Sequence, residues 1–177
     1  MARNTYKNPE VEKKKFKMPS FSIGFISDRR FHLSVGFLLL ISSLFLLTAF
    51  ISYLFTGQAD QSIMGYITET GLKESGLEAE NWLGLFGAYT AHYFIYQYFG
   101  IASFLIPPFF FLLGYKIVFR NELVPALKSF WFTVFFLLWL SIFIGYFTIN
   151  AEQVNIWGFL GGGTGFEIAI LLDSLMG

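Results

Sequence analysis

The sequence contains no cysteine, which excludes disulfides, thiolate metal sites and cysteine nucleophiles. Its two histidines, His32 and His92, lie far apart, so no H-E-x-x-H zinc motif exists. Charge is scarce, at 14% of residues against about 25% in a soluble domain. No Asp, Glu, Lys or Arg interrupts Phe31–Phe55 or Phe130–Ile149. The buried charges that mark ion and proton paths are therefore missing from these runs, which argues against a coupled transporter or pump. A phosphate-binding loop is also lacking. In Gly161-Gly162-Gly163-Thr164-Gly165 the last glycine precedes Phe166 and Glu167, where such a loop needs Lys and then Ser or Thr to reach the phosphates. No cofactor or metal site is expected, and no catalytic residue.

What is present is apolar surface. Hydrophobic residues make up 55% of 177, with 24 Phe. A soluble chain of about 150 residues buries only around 70% of its surface and could not hide so much. The pattern predicts an all-α integral membrane protein, a polytopic helical bundle with three full spans, one amphipathic or half-inserted helix and the start of a fourth span.

Residues 1–30 form a polar tail with eight basic residues against three acidic ones, a net of +5. Pro9 and Pro19 interrupt any long helix there, so the tail is expected to be largely disordered and cytoplasmic. Lys13, Lys14, Lys15, Lys17, Arg29 and Arg30 are its membrane-surface residues. They set topology and attract anionic lipid, each near-surface cation contributing about 1 kcal/mol. The first span is read over residues 31–55, which would reach roughly 37 Å and cross a core of about 30 Å. Its Ser and Thr hydroxyls can return hydrogen bonds to the preceding turn. Residues 56–81 read as a solvated acidic loop, with one Lys against five acids, a net of −4. A short interfacial helix over residues 63–77 is the one element expected inside it.

Residues 82–119 are too long for one crossing and too short for two. They divide into an amphipathic helix over about 82–98 and a span over about 100–119, separated by Gly100. Gly84, Gly87, Ala88 and Ala91 recur at i, i+3, i+4 and i+7, a face of small residues that another helix backbone can approach closely. His92 is expected to make an interhelical or headgroup hydrogen bond. Pro107 and Pro108 remove two backbone donors and are expected to kink the span. The third span is read over residues 130–149, where Ser141 and Gly145 form a small-xxx-small pair. Gly161, Gly162, Gly163 and Gly165 read as a flexible loop before a helical pattern over 166–177, which is too short to span.

Charge sets the expected orientation. The tail and the connection around Lys116, Arg120, Glu122 and Lys128 sum to +7, and the two acidic segments to −7. Basic residues near span ends mark the cytoplasmic side, so the N-terminus is expected inside.

Two stretches resemble a known family. They are Asn81-Trp82-Leu83-Gly84-Leu85-Phe86-Gly87-Ala88 and Tyr98-Phe99-Gly100-Ile101-Ala102-Ser103-Phe104-Leu105-Ile106-Pro107. Together with Gly161–Gly165 and its following helix, they are similar to the membrane domain of FtsK-type DNA translocases. The resemblance covers about residues 25–177. It implies a four-span domain in the bacterial inner membrane that anchors a hexameric, ATP-driven DNA pump at the division septum. It also implies self-association and contact with other division-site membrane proteins. DNA and ATP would be handled by a C-terminal motor that is not in this chain. The matching glycines would carry close helix approach and Pro107 a kink. The stop at Gly177 comes before the expected fourth span, so the resemblance implies a fragment or a truncated gene product. The alternative is a small stand-alone polytopic protein such as a transport-complex subunit. A lipid-active membrane enzyme would need paired carboxylates or His clusters, which the sequence lacks.

Overall fold

A computed structural model describes residues 28–70, 79–149 and 158–176. Helix is the regular structure of the described residues, with no strand among them. The elements are α1 (Arg29–Thr70), α2 (Gly84–Ala91), a π-helical segment (His92–Phe99), a 3-10 segment (Gly100–Leu105), α3 (Ile106–Phe119), α4 (Ala126–Ile149), a 3-10 turn (Gly158–Gly161) and α5 (Gly162–Met176). Three stretches are long and apolar enough to cross a membrane: Arg29–Met64, Gly84–Phe119 and Ala126–Ile149.

The first helix does not stop at Gly57. It continues to Thr70 over 42 residues, about 63 Å, twice the thickness of a hydrocarbon core. Gly57-Gln58-Ala59-Asp60 therefore marks where the apolar run ends and not where the helix ends. The Tyr53 ring packs beside Gly57, 3.2 Å from where a Cβ would stand. Asp60, expected in a solvated loop, is fully buried. Its carboxylate accepts the Thr56 hydroxyl at 2.7 Å and the Glu80 amide at 3.0 Å. The expected interfacial helix over 63–77 is, as far as Thr70, the continuation of α1; residues 71–78 lie outside the described residues. The tail of residues 1–27 also lies outside them, while Arg29 and Arg30 form the first turn of α1.

Hydroxyls within α1 divide into two kinds. Ser34 and Thr48 donate back to the carbonyls of Arg30 and Leu44, as a lipid-exposed hydroxyl should. Ser43 instead donates across to the Pro107 carbonyl at 2.7 Å, and Ser52 accepts the Trp82 amide at 2.9 Å.

Residues 84–99 are not one α-helix. α2 ends at Ala91, and the next eight residues widen into a π-helix. This stretch packs on the middle of α1. Phe86 packs on Phe45, His92 on Tyr53 and Phe94 on Phe50, so the contacts do not advance steadily along α1. Leu46, Ala49, Phe50, Tyr53, Ala91 and Ile95 form the buried core at that contact.

Gly100, with φ 63°, turns the chain into a 3-10 segment and then α3. α3 alone is 14 residues, about 21 Å; the 3-10 segment adds about 12 Å, and together they reach the thickness of a bilayer core. Pro107 and Pro108 do not kink a span. They lie in the first turn of α3, where a missing backbone N–H leaves no helical bond unmade. α3 returns antiparallel along α1, pairing Pro107 with Ser43 and Val118 with Arg29. α4 then packs against α5.

The glycine-rich stretch is not a flexible loop. Gly161 closes the 3-10 turn and Gly162 to Gly165 form the first turn of α5, which begins at Gly162 rather than at Phe166.

Candidate functional site

The chemistry of this bundle lies in how its helices are held together, and three junctions carry it. The first joins α1 to α3. A Cβ built on Gly36 would lie 2.7 Å from a Val118 methyl, and one on Gly114 would lie 2.9 Å from the Gly36 carbonyl oxygen. The two glycines therefore allow the helix backbones to approach. At the end of this contact the Arg29 guanidinium donates to the carbonyls of Ile117 and Val118 at 3.0 and 2.9 Å. Those are orphan acceptors in the last turn of α3, and a cation is favourable there. Arg29, expected as a surface charge, is thus a half-buried helix cap.

The second junction clasps the returning chain to α1. Besides the Asp60 bonds, Asn81 donates to the Ala49 carbonyl at 3.1 Å and Trp82 stacks on Phe55 at 6.3 Å. Tyr53 and His92 lie within hydrogen-bond distance at 3.3 Å, an interhelical contact of the kind expected for His92. Gly87, Ala88 and Ala91 are buried here. A Cβ on Gly87 would collide with Asn81 and Leu83, so this glycine makes room for its own turn. Gly84 has φ 63° and nothing within 4 Å of a built Cβ, so what it supplies is a left-handed backbone and not close approach.

The third junction is built almost wholly of glycine. Ser141 donates to the Gly161 carbonyl at 2.7 Å. A Cβ on Gly145 would lie 2.5 Å from the Gly165 carbonyl oxygen, and one on Gly161 would lie 2.9 Å from Gly145 Cα. A Cβ on Gly163 would lie 2.6 Å from the Gln97 carbonyl oxygen. Gly100 and Gly162 meet backbone to backbone, Gly100 against Leu160 and Gly161, and Gly162 against Tyr98. Three segments distant in sequence meet here backbone to backbone, with the Ser141 hydroxyl bonded between two of them.

Charge gathers at the end of the bundle that holds Arg29. Lys116 pairs with Glu122 across the α3–α4 connection. Lys116, and after it the Ala126 amide, hold the Glu122 carboxyl below its ordinary value. Lys13, Lys14, Lys15 and Lys17 lie outside the described residues. No group of three or more His, Asp or Glu that could hold a metal ion occurs among the described residues.

Sequence reasoning singled out neither Gly36 nor Gly114, placed Asp60 in a solvated loop, and gave Arg29 a surface role where the structure makes it a cap. The glycines had a signal: each stands alone in an apolar run without turn-forming neighbours, which in a membrane helix points to packing.

A family model described as the 4TM region of DNA translocase FtsK/SpoIIIE matches residues 28–177. No curated protein and no solved structure matches the chain.

Proposed function

This chain belongs to the family of 4TM regions of FtsK/SpoIIIE DNA translocases, and on that premise we propose that it is a membrane-anchoring and assembly module. The observation that carries the reading is the family match, which runs through every described helix. The module sits in the bacterial inner membrane with its N-terminus in the cytoplasm, at the division septum. It associates with copies of itself and with other division-site membrane proteins. DNA and ATP are the business of a motor outside this chain, and no catalysis is assigned to the helices themselves. The division into a basic tail (1–30) and a helical membrane domain (31–177) belongs to the same reading. So do the packing roles of Gly87, Ala88, Ala91, Gly100, Gly161, Gly162, Gly163 and Gly165. The short backbone approaches at the third junction support those roles.

Charge supports the orientation, because Arg29, Arg30, Lys116 and Arg120 gather at the end of the bundle where α3 closes, while Asp60 and Glu80 lie at the other. The stand-alone transport-subunit reading has no observation in its favour.

Localisation tests the function. A fluorescent protein fused to the chain in a rod-shaped bacterium should light the membrane and concentrate at mid-cell in dividing cells. Uniform cytoplasmic fluorescence would overturn anchoring, and membrane fluorescence without mid-cell enrichment would overturn the septal role. Orientation is tested separately. The chain has no cysteine, so each introduced thiol is unique. Gln58→Cys should react with a membrane-impermeant maleimide on spheroplasts, and Asn121→Cys only after lysis. The opposite pattern reverses the topology.

A further inference from the structure

One local device occurs twice in the chain. α2 begins on Gly84 at φ 63° and α5 on Gly162 at φ 69°. Three residues beyond each start stands a glycine, and seven beyond it an alanine: Gly87 and Ala91, then Gly165 and Ala169. All four are buried, and both alanines are fully so. A serine of the preceding span ties down the approach to each start. Ser52 of α1 accepts the Trp82 amide at 2.9 Å, two residues before Gly84. Ser141 of α4 donates to the Gly161 carbonyl at 2.7 Å, one residue before Gly162. A left-handed glycine, two small buried residues and a serine tether recur together, so a span and its returning helix form a unit that the chain contains twice.

The two units differ in what stands beside the first glycine. At Gly162 the seat is taken. The Tyr98 carbonyl and the Gly100 nitrogen fill the place of a Cβ, and the Gln97 carbonyl oxygen lies 2.6 Å from a Cβ built on Gly163. The end of the first unit's helix thus sits on the start of the second unit's. At Gly84 the seat is open, with nothing within 4 Å of a built Cβ. Trp82 and Phe86 flank it in sequence, 62% and 70% exposed. The end of α5 is uncovered as well: Leu171 and Leu175, four apart on one face, are 58% and 74% exposed. One start and one end meet inside the chain, and one start and one end are left over.

We propose that the seat at Gly84 receives the end of α5 from a second copy of this chain, so that the contact made within each chain at Gly162 is repeated between chains. What fits a left-handed glycine start is the end of a returning helix, and α5 supplies the second such end. In the register of the two units Leu175 stands at the place of Gln97, and Leu85 at the place of Gly163. The contact between copies is therefore one of side chains, and wider than the backbone contact at Gly163. It joins two different surfaces, so it runs head to tail and closes a ring or extends a row. It rests on the assembly role proposed for the module and gives that role a surface.

The test uses the full chain in bacterial membranes, with Leu85→Cys and Leu175→Cys expressed together as separate chains. A short, membrane-permeant bis-maleimide should link the two into a dimer, while each variant expressed alone should stay monomeric. The double variant Leu85→Cys, Leu175→Cys should give a ladder of dimers, trimers and higher forms. Gly84→Asn fills the seat with a residue that accepts the left-handed backbone, and added to the double variant it should cut the ladder about tenfold, equivalent to about 1.4 kcal/mol. Four results would each overturn the seat: no dimer in the mixture, a dimer of equal yield in either variant alone, an unchanged ladder with Gly84→Asn, or an internal cross-link without a ladder in the double variant. If Gly84→Asn does not fold, the mixture against the single variants decides. Light scattering of the parent chain in detergent separates this surface from self-association at large. An oligomer whose variants do not cross-link removes the seat and leaves assembly standing, whereas a monomer whose variants do not cross-link removes both.

Discussion

Gly145→Ala is the sharpest perturbation of the third junction. The added methyl would stand 2.5 Å from the Gly165 carbonyl oxygen, whereas ordinary contact begins at 3.4 Å, so the two backbones must part by about 0.9 Å. The obstacle is main chain on both sides, so no rotamer change relieves it. A parting of that size stretches the 2.7 Å Ser141–Gly161 hydrogen bond to about 3.6 Å, past useful length. Overpacking of this kind costs about 1–3 kcal/mol, and an interhelical bond in lipid about 0.6 kcal/mol. Against this, Ala is about 1 kcal/mol better than Gly inside a helix. The net expectation is a loss of about 0.6–2.6 kcal/mol. Gly57→Ala is the matched control, because the nearest atoms to its methyl are side-chain atoms of the Tyr53 ring at 3.2 Å, a few tenths of an ångström inside ordinary contact, and the propensity gain offsets that smaller strain. Unfolding of each variant in mixed micelles by rising dodecyl sulfate fraction, followed by circular dichroism, reads the difference. Gly145→Ala should unfold earlier than the parent and Gly57→Ala at the same point or later. Equal midpoints for the two variants would refute the claim that backbone contact at Gly145 holds α4 to α5.

Three further perturbations probe the other junctions. Asp60→Ala removes the acceptor for the Glu80 amide and the Thr56 hydroxyl, and should cost about 1–3 kcal/mol; hydrogen exchange at residues 79–83 should rise while that of α4 stays unchanged. Arg29→Gln leaves the Ile117 and Val118 carbonyls without their charged cap, and exchange in the last turn of α3 should rise with a loss of about 1 kcal/mol or less in overall stability. The Glu122 carboxyl is held below its ordinary 4.5, so its contribution is full above that value and is lost as pH falls through the lower, folded one. Acidification should therefore loosen the α3–α4 connection below about pH 4.5 in the parent chain but not in Glu122→Gln, as read by proteolysis between residues 120 and 125.

The spans were legible because uninterrupted apolar runs have no other explanation at this length. The Ser141 and Gly145 pair was legible from its spacing of four, which puts both on one helix face. Helix ends were less so. A polar residue such as Gln58 marks the edge of lipid, yet it is also a good helix former, so α1 ran on to Thr70. Arg29 and Arg30 are indistinguishable in a sequence. Only the arrival of α3, nearly ninety residues later, makes one of them a cap. Asp60 looked like its acidic neighbours until the return of Glu80 gave its carboxylate a second donor. Pro107 and Pro108 could have kinked a helix or begun one, and the turn at Gly100 decided in favour of beginning.

An unbroken α1 ties the two ends of the bundle to one another. Its 42 residues contain no proline and no helix break, so it behaves as one stiff rod pinned near both ends, by Asp60 on one side and Arg29 on the other. Because one helix carries both contacts, the Asp60 clasp and the Arg29 cap are joined through a single continuous element about 47 Å long.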